Sequence, residues 1–126
     1  MKLVTGETKA RVIRKRWGNY ALFLLNKKCT VKILTVMPGK SLSMQRHRYR
    51  DELWFGMAGQ GLVALDDHEF MMYPGRIIEI PRMHWHRLWV RAPKRKVCQV
   101  LEVSIGHFDE KDILRAVLHK GNQDGK

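Results

Sequence analysis

Short apolar runs alternate with turn chemistry along almost the whole chain. Tyr20 to Leu25, Cys29 to Met37, Leu53 to Ala58, Leu62 to Leu65, His68 to Tyr73, Arg76 to Ile80, Trp85 to Val90 and Val97 to Val103 are all of strand length. Between them stand Gly18-Asn19, Asn26-Lys27-Lys28, Pro38-Gly39, Gly59-Gln60-Gly61, Asp66-Asp67, Pro74-Gly75 and Ala92-Pro93-Lys94. These residue types supply the left-handed or fixed backbone angles that tight turns need. Within Cys29 to Met37, Val31, Ile33 and Thr35 alternate with Lys32, Leu34 and Val36, the two-residue period of a strand with two distinct faces. The Tyr20 and Cys29 segments read as an early hairpin. Strands at such regular spacing, joined by short turns, predict an all-β fold with an antiparallel sheet closed into a barrel or sandwich. Only the tail departs. Asp109 is placed to cap a short C-terminal helix through Asp112, Ile113 and Leu114 to Val117, and Gly121 to Lys126 reads as a frayed end.

With 126 residues, 44% of them hydrophobic, the chain is expected to form a single domain spanning residues 1–126. Cys29 and Cys98 lack the spacing of a metal knuckle, and the opening Met1 to Lys9 has no apolar stretch suited to secretion. A cytoplasmic protein with reduced thiols is the expectation, and no run is long enough to cross a bilayer. Charge adds a partner class: 24 Lys and Arg against 12 Asp and Glu give a formal +12, a field that draws anions. A phosphorylated small molecule satisfies that field as well as a nucleic acid does. The basic residues are dispersed without a helical stripe or an RNA-binding aromatic signature, so nucleic acid is not the expected partner.

Candidate chemistry gathers in Gln45 to Glu52 and in Pro81 to His86. On an extended strand Gln45, His47 and Tyr49 share one face while Arg46 and Arg48 point away. Glu52 has the opposite parity and joins them only if the chain bends between Arg48 and Asp51. His84 and His86 share a face, and either is placed to complete a coordination sphere from an opposite strand. Imidazole, carboxylate and amide oxygen donors suit one divalent ion, zinc, manganese, iron, nickel or cobalt, without choosing among them.

These residues also carry a resemblance. Leu42 to Trp54 is similar to the signature of the cupin domain of type II phosphomannose isomerases, Leu-Ser-x-Gln-x-His-x-His-Arg-x-Glu-x-Trp. Trp17-Gly18-Asn19-Tyr20, Val36-Met37-Pro38-Gly39, Ile80-Pro81, His86-Arg87-Leu88, and the closing Glu102, Gly106, Glu110, Asp112-Ile113 and Arg115 resemble further motifs of that family in the same order. The resemblance covers roughly Lys15 to Arg115. It implies a cupin, a double-stranded β-helix or jelly-roll barrel, with Gln45, His47, Glu52 and His86 at the metal-ligand positions. It further implies an aldose–ketose isomerase, most simply of mannose 6-phosphate and fructose 6-phosphate, working through an enediol that a divalent ion stabilises. Arg50 matches the arginine of the signature and is expected to contact phosphate or sugar, with Arg115 and Lys120 as further cations. Glu102 is expected either as the base or as an interior carboxylate paired with a barrel-lining arginine, and Tyr49 as a proton relay.

Departures from the family pattern weaken this picture at named places. Tyr49 stands where the family has the second histidine of His-x-His, Lys15-Arg16 replace Arg-Pro, and Leu118 to Asn122 lacks the Tyr-Gly-Arg ending. A phenol is normally protonated near neutral pH and is a poorer ligand than imidazole. No glycine-rich nucleotide loop precedes Trp17, so the guanylyltransferase activity of longer family members is not expected. Two other readings stand beside the isomerase: a non-catalytic cupin that binds a sugar or nucleotide-sugar, and a basic nucleic-acid-binding protein. A homodimer is expected, since exposed sheet edges favour pairing.

Overall fold

The computed structural model describes residues 10–92 and 95–116. Eleven strands follow one another: β1 (Arg11–Lys15), β2 (Gly18–Leu22), β3 (Cys29–Val36), β4 (Gln45–Arg46), β5 (Arg50–Ala58), β6 (Gly61–Leu65), β7 (His68–Met72), β8 (Ile77–Ile80), β9 (His86–Trp89), β10 (Cys98–Gly106) and β11 (Leu114–Arg115). They form a four-stranded sheet in the order β3-β10-β5-β8, a five-stranded sheet in the order β11-β4-β9-β6-β7, and the separate ribbon β1-β2. Every pairing is antiparallel. No helix is present among the described residues, so none there is long and apolar enough to cross a membrane.

The core lies between the two larger sheets, where Val36, Trp54, Val63, Met72, Ile78, Leu88 and Val100 are buried. Each large apolar side chain hidden in this way contributes about 1.5–3 kcal/mol. Register sets the inner face of the four-stranded sheet: Lys32, Glu102, Trp54 and Ile78 lie in one row across β3, β10, β5 and β8. Two ionisable side chains therefore share an inward row with a tryptophan and an isoleucine. The turn after β5 needs glycine, because Gly59 has φ +70° and a Cβ there would lie 1.9 Å from Val97 O.

Two expectations are corrected. The early hairpin is not formed by the Tyr20 and Cys29 segments: β2 pairs with β1, and β3 pairs with β10 over eight residue pairs from Cys29↔Ile105 to Val36↔Cys98. The longer ladder wins, and Asn26, left-handed at φ 53°, carries the chain between the sheets. The short C-terminal helix is absent over the described part of its span. Asp109 Oδ1 accepts Lys111 N at 2.9 Å and Asp109 O accepts Asp112 N at 2.9 Å, which makes a turn. Leu114 and Arg115 then pair with Arg46 and Gln45 as a strand, so an open sheet edge overrides the apolar spacing. Val117 and Lys120 lie outside the described residues.

Candidate metal centre

The chain bends at Arg48 and Tyr49, between β4 and β5. Asp112 pins that bend: one carboxylate oxygen accepts Arg48 N at 2.8 Å and the other accepts Tyr49 N at 2.9 Å. The bend reverses the parity of the β5 residues, and this is the change Glu52 required. Arg50, Glu52 and Trp54 turn inward and are buried with His47, while Tyr49 is left 56% exposed. Tyr49 therefore lies outside the cluster in which its spacing from Gln45 and His47 places it. It lines a different cavity, with Arg48, His107 and Asp109.

His47, Glu52 and His86 converge, each offering one ligand atom within 4.8 Å of the others, and all three are buried. Glu52 Oε2 is 3.6 Å from His47 Nε2 and Glu52 Oε1 is 3.5 Å from His86 Nε2. Each Nδ1 is tied behind the ring to a backbone carbonyl, His47 to Asp112 O at 2.6 Å and His86 to His84 O at 3.0 Å. A carbonyl only accepts, so both Nδ1 atoms carry the proton and both Nε2 lone pairs face Glu52. Two neutral imidazoles and a carboxylate, oriented before any ion arrives, fit a divalent metal. Gln45, paired in register with His86, lines the same cavity, and its amide nitrogen donates to Ser43 O at 3.2 Å.

Electrostatics reinforce the neutral imidazoles. Burial pushes His86 down to about 4, and burial together with the neighbouring Arg50 charge lowers His47. Burial raises Glu102, and the nearby Glu52 carboxylate raises it further. Burial also pushes Asp112 upward, but the Arg48 and Tyr49 N–H donors and the neighbouring His47 and Arg50 outweigh it and leave the group low.

Arg50 forms one side of the centre. Its Nε donates to Glu52 Oε2 at 3.1 Å, Nη1 to Asp109 O at 3.2 Å, and Nη2 lies 3.2 Å from His47 Nε2. Trp54 Nε1 links the two acids, 3.2 Å from Glu52 Oε1 and 3.1 Å from Glu102 Oε2. Glu102 Oε1 accepts no hydrogen bond from the described residues, and Lys32 Nζ lies 3.5 Å from it. Glu102 is expected either as the base or as an interior carboxylate paired with an arginine, and the cation beside it is Lys32. Lys32, Arg50, Trp54 and Glu102, with His47, His86, Gln45 and Arg115, line a cavity of about 220 Å³. That is below the roughly 300–1,000 Å³ of drug-sized ligand pockets and of a scale for a small metabolite.

Sequence reasoning missed Lys32, Trp54 and Asp112. Lys32 had a signal, since it alternates in phase with Leu34 and Val36, which face inward. Trp54 looks like plain core in the sequence, and its indole N–H bridge needs the register of β5 against β10. Asp112 belongs to a closing motif that resembles the family, but its hold on the bend acts across the fold and is not visible in its own neighbourhood of the sequence. His84, the alternative ligand, lies outside the centre: its Nδ1 is 2.5 Å from Asp66 Oδ2. His68 and His107 are exposed.

A two-sheet antiparallel barrel holding histidines and a glutamate in its interior defines a cupin. The chain belongs to the family described as mannose-6-phosphate isomerase C-terminal, whose pattern matches residues 5–117. It is 34% identical over 104 residues to the alginate biosynthesis protein AlgA of Pseudomonas putida, covering 82% of this chain and 21% of that protein. It is 31% identical over 108 residues to a mannose-1-phosphate guanylyltransferase of Sinorhizobium fredii, covering 85% of this chain and 21% of that protein. The chain thus spans about a fifth of the length of these curated relatives. Among solved structures, a dTDP sugar isomerase of Desulfovibrio desulfuricans matches with TM-score 0.64 at 15% identity, over 87% of this chain and 82% of that one. The dTDP-6-deoxy-D-glucose-3,5-epimerase RmlC of Legionella pneumophila matches with TM-score 0.61 at 8% identity, over 85% and 69%. These structures establish the fold alone.

Proposed function

We propose that this cupin is a metal-dependent sugar-phosphate isomerase that interconverts mannose 6-phosphate and fructose 6-phosphate. The observation that supports it most directly is the convergence of His47, Glu52 and His86, two of which, His47 and His86, line a cavity together with Glu102, Lys32 and Arg115. His47, Glu52 and His86 would hold a divalent ion, with the Gln45 side-chain oxygen as a fourth donor. Such an ion would supply Lewis-acid stabilisation to charge developing on the sugar.

Glu102 is the proposed base. It takes the proton from the carbon beside the carbonyl, giving the enediolate, and returns it to the neighbouring carbon, while the hydroxyl proton passes from one sugar oxygen to the other, so no other reactant is consumed. Glu102 lines the cavity, its Oε1 is buried 3.5 Å from Lys32 Nζ, and its raised affinity for protons suits a group that must accept and release one. Arg50 is expected to contact phosphate or sugar, and its Nε, Nη1 and Nη2 are all engaged within the protein. Lys32 and Arg115 are better placed to receive the phosphate, and Arg50 to orient the sugar. The test is isomerase turnover by protein loaded with Zn²⁺, Mn²⁺, Fe²⁺, Ni²⁺ or Co²⁺. Activity with one ion, lost on chelation and in His47→Ala, is expected.

One observation favours a second reading, a sugar-binding cupin without turnover. The signature position taken by Tyr49 contributes no side chain to the centre, which leaves fewer strong donors than a His-x-His pair would give. Sugar phosphate bound by the metal-loaded protein, with no interconversion, selects it.

The proposed dimer has a surface suited to a second copy. The outer side of β3 presents Val31 and Ile33, 56% and 55% exposed, beside Val103 and Leu101 of β10. No lysine or arginine interrupts these positions in a chain of formal charge +12, whereas Trp85 and Trp89 on the other sheet lie under Arg46 and Arg87. Two such chains approach with least repulsion through the uncharged patch. Light scattering is expected to show a dimer that Val31→Glu with Ile33→Glu converts to monomer.

A further inference from the structure

Both imidazoles of the proposed centre lean on a backbone carbonyl, and each carbonyl is fixed by a carboxylate that never reaches the cavity. For His47 the carbonyl is that of Asp112, 2.6 Å from Nδ1. The same residue's side chain holds Arg48 N and Tyr49 N, and its own N–H donates to Asp109 O at 2.9 Å. Acceptor, bend and histidine are thereby locked to one another.

For His86 the arrangement is built from different parts. Its Nδ1 donates to His84 O at 3.0 Å, and that carbonyl belongs to the peptide joining His84 to Trp85. Asp66, on the turn between β6 and β7, grips this peptide from its other side. Its Oδ1 accepts Trp85 N at 3.1 Å, its Oδ2 meets His84 Nδ1 at 2.5 Å, and its own N–H donates to Trp85 O at 2.8 Å. Asp66 and Met83, on the two facing loops, both take left-handed backbone angles, φ 53° and φ 71°. Aspartate tolerates that conformation but methionine seldom settles there, so the loop carrying Met83 is held in that shape by its contacts, Met83 N donating to His47 O at 2.8 Å.

We propose that Asp66 and Asp112 are positioning residues for metal binding, each fixing one ligand histidine in the Nδ1–H tautomer with Nε2 aimed at Glu52. The proposal rests on reading His47, Glu52 and His86 as a metal centre. His84, outside the ligand set, becomes part of the support of its neighbour. Outer contacts of this kind commonly change metal affinity by about 10–100-fold.

The experiment is a titration of the metal-free full chain with Zn²⁺ and with Mn²⁺ against a competing chelator. It is paired with ¹⁵N NMR of the histidine rings in the metal-free state and thermal melts in chelator. Wild type is expected to bind the ion and to show both His47 and His86 protonated at Nδ1. Asp66→Ala is expected to bind about 10-fold or more weakly, with His86 in mixed tautomers and His47 unchanged. Asp66→Asn, which still accepts from Trp85 N, is expected to recover most of the affinity. His68→Ala, in the same surface cavity but stacked on Phe70, is expected to leave it unchanged. Asp112→Asn keeps one acceptor for the bend and is expected to fall between wild type and Asp112→Ala.

Absence of binding by wild type overturns the metal reading and the proposal with it. Wild-type binding with equal affinity in Asp66→Ala overturns the proposal alone. So does a wild-type His86 protonated at Nε2, a result that needs no variant to fold.

Discussion

Arg50 Nη2 lies 3.2 Å from His47 Nε2, the nitrogen whose lone pair is the natural ligand atom of that ring. The same guanidinium holds Glu52 Oε2 through Nε at 3.1 Å. A fixed positive charge thus sits against two of the three atoms that would face a cation. Arg50 neutralises the buried carboxylate, and it also competes with an ion for it.

Replacing Arg50 separates these roles. Arg50→Met leaves Glu52 buried beside no guanidinium, and losing one partner of a buried pair costs about 3–5 kcal/mol. Denaturant unfolding in chelator is expected to show a loss of about that size, recovered in large part when metal is added. Metal affinity itself is expected to rise. Equal destabilisation with and without metal would show that the two cations do not share the site.

Glu102→Gln tests the base without disturbing the ligands. Glutamine can accept from Trp54 Nε1 as Glu102 Oε2 does at 3.1 Å, so packing and metal content are expected to persist. Turnover is expected to fall about 10²–10⁴-fold, the usual contribution of a positioned acid–base group. In wild type, activity is expected to rise with pH through a value above the ordinary 4.5, because burial and Glu52 raise this carboxyl and only its deprotonated form accepts the proton. A variant with full turnover assigns the proton transfer to another group.

Acid stability is governed in part by His86. Its folded-state value of about 4 lies below the ordinary 6.5, so between those limits the unfolded chain binds a proton that the folded chain excludes. Stability of the metal-free protein is therefore unaffected by this group above pH 6.5 and is lost as pH falls toward 4, by an amount on the order of 3 kcal/mol. His47, lowered chiefly by burial, adds in the same direction. Denaturation curves at a series of pH values check this, and a stability maximum near pH 4.5 would contradict it.

Much of this fold was legible because its strands alternate and its turns use glycine, proline, asparagine and aspartate. β6, β7 and β8 fall within a residue of their predicted limits, bracketed by Gly61, Asp66-Asp67 and Pro74-Gly75. The bend needed to bring Glu52 beside His47 was also legible, since parity alone forbids the pair on a straight strand. Which side chain the bend would expel was not. Arg50 turns inward and Tyr49 outward because Asp112, more than sixty residues away, takes the N–H groups of Arg48 and Tyr49. The tail differs for a related reason: Leu114 and Arg115 have a helix-compatible spacing, but the open edge of β4 offers them a ladder.

Trp54→Phe removes one N–H from between two acids while keeping the buried ring. Glu52 Oε1 and Glu102 Oε2 both lose a donor, and a loss of about 1–3 kcal/mol is expected for acceptors left buried without it. Trp54 lowers the Glu102 value, so the pH profile of turnover is expected to move to higher pH in the variant. Thermal melts and rate profiles on the same samples check both effects.

The most direct measurement is metal stoichiometry after titration and removal of free ion, in wild type and in His47→Ala, Glu52→Ala and His86→Ala. The account predicts one divalent ion per wild-type chain and a large loss of affinity in each variant that remains folded. A wild-type chain that retains no ion, or variants that retain it as firmly as wild type, would contradict it.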